Sequence, residues 1–551
     1  MTGRRPPLAT MLDILHDEDV HTVFGNPGTS ELPFLHGLVG DPRFEFVLAL
    51  HEASAVAMAD GYARATGRPA FVSLHIAAGL ANGLIGLLNA SRSRTPLVVT
   101  AGQQDSRHLV QDPLLSGDLI GLAGAAVKQT FDVRRAADLP ILLRRAFAAA
   151  RRPPAGPVFL SVPMDLLADE IPIDSVGPSS VSPPGAPEDL ASAVRLLAEA
   201  RNPVIVAGDG VGRAGAVADL VAVAEALGAV VYHQPMHDGI DFPQRHPLHA
   251  GMLPPINAAI RAALDAHDAV LIAGCHAFSP HHYSPGPALP AGIAVVQLDS
   301  DAEEIGRNFP ADAGLVGGIR PTLRALADRL AGRVSEAPVR TRAAARRHNA
   351  ARADIDARAR LKYGSVPLHP LAAVHAVTAA LPDEAVVVEE AITAGVLLRQ
   401  VLRQDQPRSL VHTVGGGLGS GIGAAIGTRL GDPSRPVVAV LGDGCTLFGL
   451  QGLWSAARYQ VPVTFVVMNN GEYRTLKETL DTWHGRTGLR PVLDLSPPQL
   501  DFTAAAAFFG IESVRVTDTG QLTETIAKAV RSERPLLVDV PITGHNDEEP
   551  L

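Results

Sequence analysis

Short, unbroken apolar runs alternate with Ala-rich segments of helical length along almost the whole chain, and this rhythm restricts the fold more than any other feature. A strand buried on one face alternates apolar and polar side chains, whereas a continuous apolar run must be buried on both. Residues 46–50, 70–74, 97–101 and 158–162 form such runs, with helical stretches at 52–66 and 79–91 between them. Strands separated by helices predict a parallel sheet covered on both faces.

At about 150 residues per domain, 551 residues make three or four domains. The first α/β unit is expected over 1–173, followed by a Pro/Ser/Gly-rich linker at 173–187. A second unit, 188–330, carries runs at 204–207, 229–233, 269–273 and 294–299. Residues 331–364 are rich in Arg and Ala and read as a solvated, partly helical connector. A third unit, 365–541, carries runs at 385–389, 437–441, 463–468 and 536–540, and the last ten residues read as a loose polar tail. The fold class is therefore α/β, with three doubly wound parallel-sheet domains.

Lys and Arg number 47 against 57 Asp and Glu, a net charge of −10. That balance argues against nucleic acid, whose phosphates need a basic face. No run is long and apolar enough to span a bilayer, and no apolar stretch follows Arg4 and Arg5 to make an export signal. The two cysteines, Cys275 and Cys445, cannot form a disulfide framework and suit a reducing cytoplasm. An enzyme is the favoured class.

The sharpest local signal is Leu441-Gly-Asp-Gly-Cys445, followed by Asn469-Asn-Gly471. Asp443 and Asn470 lie 27 positions apart. That spacing accommodates a turn, a helix at 446–459 and the next strand, which is one βαβ step. Both residues then stand at carboxyl ends of neighbouring parallel strands, where such sheets bind ligands. A carboxylate, an amide oxygen and a backbone carbonyl suit Mg²⁺, which keeps few protein oxygens and shares phosphate oxygens. Gly442 and Gly444 allow a diphosphate to approach the backbone. An Asp that merely caps the next helix is the plainer alternative.

This combination resembles the fingerprint of thiamine-diphosphate enzymes. Further segments extend the likeness in order: Phe24-Gly-Asn-Pro-Gly-Thr-Ser30, Leu48-Ala-Leu-His-Glu52, Ser73-Leu-His75, Gly415-Gly-Gly-Leu-Gly419 and Leu453-Trp-Ser-Ala-Ala457. Together they resemble the benzoylformate decarboxylase branch of the 2-oxo-acid decarboxylase family.

The resemblance implies thiamine diphosphate and Mg²⁺ as cofactors, and a 2-oxo acid that loses carbon dioxide while the cofactor serves as electron sink. Glu52 matches the glutamate on the cofactor's aminopyrimidine ring. Leu418 matches the apolar wedge between its two rings. Asp443, Asn470 and Glu472 match the metal ligands. Asn26, Gly28, Gly416, Gly442, Gly444, Cys445 and Tyr473 match other cofactor contacts. His75 and His281 match a pair of proton-transferring histidines, with His282 adjacent to the second. Thr29 takes the place of a serine that meets the substrate carboxylate, and Ser30 is a neighbouring hydroxyl. Leu115, Ile392, His412, Thr475, Leu476 and Thr479 match pocket positions. His412 and Thr479 stand where the family places phenylalanines, Ile392 where it places threonine and Thr475 where it places alanine, which implies a smaller or more polar substrate.

The family also implies a site shared between subunits, with Glu52 from one chain and Asp443 and Asn470 from its neighbour, hence a homodimer at minimum and commonly a tetramer. Two rival readings remain. An acetolactate-synthase-like carboligase would join the product to an aldehyde acceptor, and a non-catalytic protein would only bind the cofactor. Gly210-Val-Gly-Arg-Ala-Gly215, with Glu225 beyond it, also fits a nucleotide-binding turn, against a plain Gly-rich βα turn.

Overall fold

The computed structural model describes residues 4–485 and 490–544. It contains three six-stranded sheets, each parallel throughout. The first is built from β1 (Thr22–Gly25), β2 (Glu45–Leu48), β3 (Ala70–Leu74), β4 (Leu97–Gln103), β5 (Gln129–Asp132) and β6 (Val158–Pro163) in the order β2-β1-β3-β4-β6-β5. The second takes β7 (Pro203–Ala207), β8 (Val230–His233), β9 (His249–Met252), β10 (Ala269–Ala273), β11 (Ala294–Asp299) and β12 (Ala313–Val316) in the order β12-β11-β10-β7-β8-β9. The third takes β13 (Val386–Glu390), β14 (Leu410–His412), β15 (Val437–Gly442), β16 (Val463–Asn469), β17 (Glu512–Arg515) and β18 (Leu536–Pro541), ordered β14-β13-β15-β16-β18-β17. The first and third sheets thus share one topology.

The inner strands β3, β4, β6, β7, β10 and β13 are buried at every position, as continuous apolar runs require. The edge strands β5, β9, β12 and β17 alternate or stay half-exposed and show no such run. Residues 331–364 are more ordered than a partly helical connector. Ala337–Leu361 is one continuous helix, anchored by buried Ala337, Ala344, Ile355 and Ala359. The expected helix at 446–459 is two helices, Asp443–Gly449 and Gly452–Arg458. The break falls where the Gly419 backbone docks on Gly449, too close for any side chain. The tail is pinned at its start: the Ile542 and Thr543 amides bond to Asn469 and Leu368 carbonyls at 2.9 Å. Residues 545–551 lie outside the described residues.

One seam fixes the first sheet against the third. Helix Glu52–Thr66 runs along helix Ser420–Gly431 with backbone in contact with backbone. A Cβ on Gly61 would lie 2.8 Å from the Ala424 carbonyl carbon, and one on Gly427 would lie 2.6 Å from that of Met58. Glycine is required there for space.

Candidate active site

Open parallel sheets bind ligands where consecutive connections leave in opposite directions, beyond the carboxyl ends of the strands. The strand orders put these points between β1 and β3, between β13 and β15, and between β7 and β10. Asn26–Ser30 follow β1 and His75 follows β3; Glu390 and Asp443 stand at β13 and β15; Asp209 follows β7, and the loop with His281 follows β10.

At the first crevice Glu52 opens its helix, where the dipole favours a carboxylate, and is 6% exposed. Its Oε1 accepts from Asn26 Nδ2 at 3.2 Å and its Oε2 from Asn82 Nδ2 at 3.0 Å. Gly79 faces it, and a Cβ there would lie 2.8 Å from Oε1. His75 Nδ1 lies 2.8 Å from Glu31 Oε2, which assigns the ring proton to Nδ1 and leaves Nε2 for chemistry. Glu31 is buried and also accepts from the amides of Gly28 and Gly102, both at 2.9 Å, and from Ser30 Oγ at 2.8 Å. Thr29 is exposed, whereas Ser30 is buried with Oγ 3.2 Å from His75 Nδ1. Leu115 is 46% exposed.

At the second crevice Gly442 precedes helix Asp443–Gly449. Asp443 Oδ1 accepts from the Gly444 amide at 2.7 Å, and Oδ2 accepts from those of Asn470 and Gly471 at 3.0 and 2.7 Å. Burial, with the Glu472 charge nearby, pushes Asp443 up to about 6 against these bonds, and no cation pairs with it among the described residues. Asn470 Oδ1 accepts from the Glu472 amide at 3.0 Å. The Glu472 carboxylate pairs with buried Lys477, so its carbonyl is what it can offer a metal. Tyr473 packs on Gly444, where a Cβ would lie 2.8 Å from its ring. Cys445 is buried and its thiol is pushed up by that burial.

The Gly415–Gly419 loop ends at helix Ser420–Gly431, with Gly416 and Gly419 at φ 76° and 91°. Leu418 is half-buried on it. Glu390 holds this turn by accepting from the Gly419, Ser420 and Gly421 amides at 2.9, 3.2 and 2.8 Å, and its burial pushes it up to about 7. From the first domain, Asn89 brackets Gly417, donating to its carbonyl at 2.8 Å and accepting from its amide at 3.0 Å.

The pocket positions divide. Thr475 Oγ1 meets Thr393 Oγ1 at 2.8 Å and Thr479 Oγ1 donates to the Thr475 carbonyl at 2.9 Å, beside exposed Ile392 and Leu476. His412 is turned into its own domain, with Nδ1 2.9 Å from Glu389 Oε2. Burial opposes it, yet Arg399 and His412 hold Glu389 down at about 2. His281 is exposed, with Nδ1 3.1 Å from His282 Nε2, and His282 meets Trp483 edge-on at 5.5 Å. This brings the second-domain loop onto helix Arg474–His484, which carries Thr475, Leu476 and Thr479. His75 and His281 share no hydrogen-bond partner among the described residues.

Sequence reasoning missed Glu31, Asn82, Asn89, Glu390 and Trp483. Glu390 alone carried a signal: a charge at the carboxyl end of an apolar run, adjoining a crevice. Of the nucleotide-like glycines, Gly210 is packed on Gly274, where a Cβ would lie 2.8 Å from its Cα, whereas Gly215 has open space around it.

Three sequence profiles match in order: the thiamine pyrophosphate enzyme N-terminal TPP binding domain over 8–121, the central domain over 190–326 and the C-terminal TPP binding domain over 393–540. The chain is 37% identical over 540 residues to a benzoylformate decarboxylase of Pseudomonas aeruginosa, covering 96% of this chain and 97% of that one. It is 29% identical to the acetolactate synthase isozyme 3 large subunit of Escherichia coli over 98% of this chain and 95% of that one. Among solved structures, benzoylformate decarboxylase from Polynucleobacter necessarius superposes with a TM-score of 0.88 at 30% identity, covering 99% and 100% of the two chains. The thiamine diphosphate-dependent 4-hydroxybenzoylformate decarboxylase of Rhodococcus jostii gives 0.85 at 31% identity, covering 98% and 99%. With its two strand-end crevices, its buried glutamate and its Asp–Asn pair, this chain belongs to the thiamine pyrophosphate enzyme family.

Proposed function

We propose that the chain decarboxylates a 2-oxo acid, using thiamine diphosphate held by Mg²⁺. The observation that carries this reading is Asp443: a buried, unpaired carboxylate raised to about 6, at the start of a helix and one βαβ step from Asn470. A divalent cation answers its charge, and the residues present fit one. Asp443, Asn470 and the Glu472 carbonyl would hold it, with Gly442 and Gly444 leaving the backbone open to a diphosphate. When bound, the cofactor supplies an electron sink that lets carbon dioxide leave. Glu52, steadied by Asn26 and Asn82, holds a proton at the aminopyrimidine ring. Leu418 props the cofactor from the glycine loop. Ser30 and Thr29 meet the substrate carboxylate. His75 moves a proton through Nε2 while Glu31 fixes its ring, and His281 acts from the opposite loop.

The substrate is smaller or more polar than benzoylformate. Thr475 and Thr479 support this, whereas His412 is engaged with Glu389 and contributes less. The working unit is a homodimer or larger, placed in the cytoplasm. Exposed Leu50, Ile85, Leu88, Leu447 and Phe448 favour burial against a second copy. The test is a panel of aliphatic and aromatic 2-oxo acids given to protein loaded with thiamine diphosphate and Mg²⁺, scored for carbon dioxide, aldehydes and hydroxyketones. Aldehyde from small or polar acids is expected, hydroxyketone as main product would favour the carboligase reading, and strong preference for benzoylformate would refute the polar pocket. An active monomer by light scattering would refute the shared site.

A further inference from the structure

A buried cluster in the second domain takes no part in this chemistry. β8 ends at His233, and the following segment returns His237 and Asp241 beside it. One ligand atom from each of the three lies within 4.8 Å of the other two, and all three residues are 1% exposed. The histidine rings stack at 4.4 Å.

Two of the three leave a ligand atom free of hydrogen bonds, Nε2 of His237 and Oδ2 of Asp241. His237 Nδ1 lies 2.7 Å from the Gly239 carbonyl, so it carries the proton and Nε2 presents a lone pair. His233 Nδ1 faces His249 Nε2 at 3.2 Å, and its Nε2 accepts from the Asp241 and Phe242 amides, both at 3.3 Å, bonds that a bound ion would displace. Asp241 Oδ1 accepts from the Gly212 amide at 3.0 Å, and a Cβ on Gly212 would lie 2.6 Å from that oxygen. Asp241 Oδ2 is fully buried with no hydrogen-bond partner. Buried polar atoms are rarely left so.

Charges of both signs surround the cluster, with Arg399 Nη1 3.8 Å from Met236 Sδ beside His237. Arg64 and Arg213 both lie 3.5 Å from Asp238, while Asp209 accepts from the Asp238 amide at 2.8 Å and from Gln234. A proton on Oδ2 would itself need an acceptor. A cation would satisfy Oδ2 and the free His237 nitrogen at once. A cavity of about 400 Å³ between the domains is lined by Asp238, Gly239 and Asp241 and so reaches the carboxylate side of the cluster.

We propose that His233, His237 and Asp241 bind one divalent transition-metal ion of the Zn²⁺ class, separate from the Asp443 site. Two imidazoles, one carboxylate and a water form a recognised tetrahedral set for such an ion. The ion ties the segment after β8 to the Gly210–Gly215 turn, which gives that motif a structural role.

The test loads the holoenzyme with Mg²⁺ and thiamine diphosphate, dialyses it against Co²⁺, removes excess, and measures metal content and the visible spectrum. One Co²⁺ per chain is expected beyond the Mg²⁺, with the intense bands of tetrahedral coordination. Asp241→Asn and His237→Gln should each weaken retention at least about tenfold. The proposal is overturned by substoichiometric Co²⁺, by only the pale octahedral spectrum, or by retention in both variants equal to that of the unaltered protein. Co²⁺ lost only with Asp443→Asn would mark displacement at the Mg²⁺ position and would also overturn it. Should the variants fail to fold, stoichiometry and spectrum in the unaltered protein still decide.

Discussion

Gly28 lies against His75 so tightly that adding one methyl group there tests the histidine without touching it chemically. At φ −122° and ψ −163° its backbone is open to any residue, so only space demands glycine. A Cβ would lie 2.5 Å from His75 Cγ and closer to Nδ1 and Cε1. Carbon–carbon contact needs about 3.5 Å, so the ring must move by about 1 Å. Its 2.8 Å bond to Glu31 cannot survive a shift of that size. Misplacing a proton-transfer group by about 1 Å costs about 10²-fold in rate. Gly28→Ala is therefore expected to lower kcat about a hundredfold while cofactor affinity, titrated in parallel, stays within a few-fold. Removing the imidazole by His75→Ala should cost about 10²–10⁴. The double variant decides the matter, because a methyl group that acts only through the ring has nothing left to displace. The pair should match His75→Ala within a few-fold. Full activity in Gly28→Ala, or losses that multiply in the double variant, would refute the reasoning.

Other outcomes follow from the same geometry. Glu52→Gln should lower kcat by about 10²–10⁴ with little change in cofactor affinity, and an undiminished rate in a steady-state assay would remove Glu52 from the mechanism. Asp443 binds a cation only when ionised, and its carboxyl is raised to about 6. With the buried His233–His237–Asp241 cluster first filled with Zn²⁺, Mn²⁺ affinity of the cofactor-free protein, followed by electron paramagnetic resonance, should be flat at neutral pH and fall about tenfold per unit below that value; Asp443→Asn should abolish this binding at all pH. Gly427→Ala would stabilise an isolated helix by about 1 kcal/mol, but here the methyl group meets Met58 backbone, at an overpacking cost of about 1–3 kcal/mol or more. A lower melting temperature is expected, and a higher one would contradict the close helix seam.

How much of this was legible in the sequence depended on burial. The strands β3, β4, β6, β7, β10, β13, β15, β16 and β18 announce themselves because both faces are covered, whereas edge strands such as β5 and β17 are half-exposed and write no apolar run. Helix Ala337–Leu361 was hard to read because small alanines anchor it in place of a wide apolar stripe. At the site, Asp443 and Asn470 were readable because one βαβ step fixes their separation. Glu31 was not, because its partners His75 and Gly102 come from other strands. His412 looked like a pocket residue by position, yet its partner Glu389 on the adjacent strand draws it inward.

The glycine seam between the helices of Glu52 and Ser420 has a consequence for how such a protein can diversify. Because those helices touch backbone to backbone, the chassis that grips the coenzyme offers almost no latitude for gradual change. New substrate preferences must instead arise at the rim, where the loop bearing His281 and His282 leans on Trp483. Grafting that loop from a relative is thus the change most able to retune selectivity while sparing the machinery beneath it.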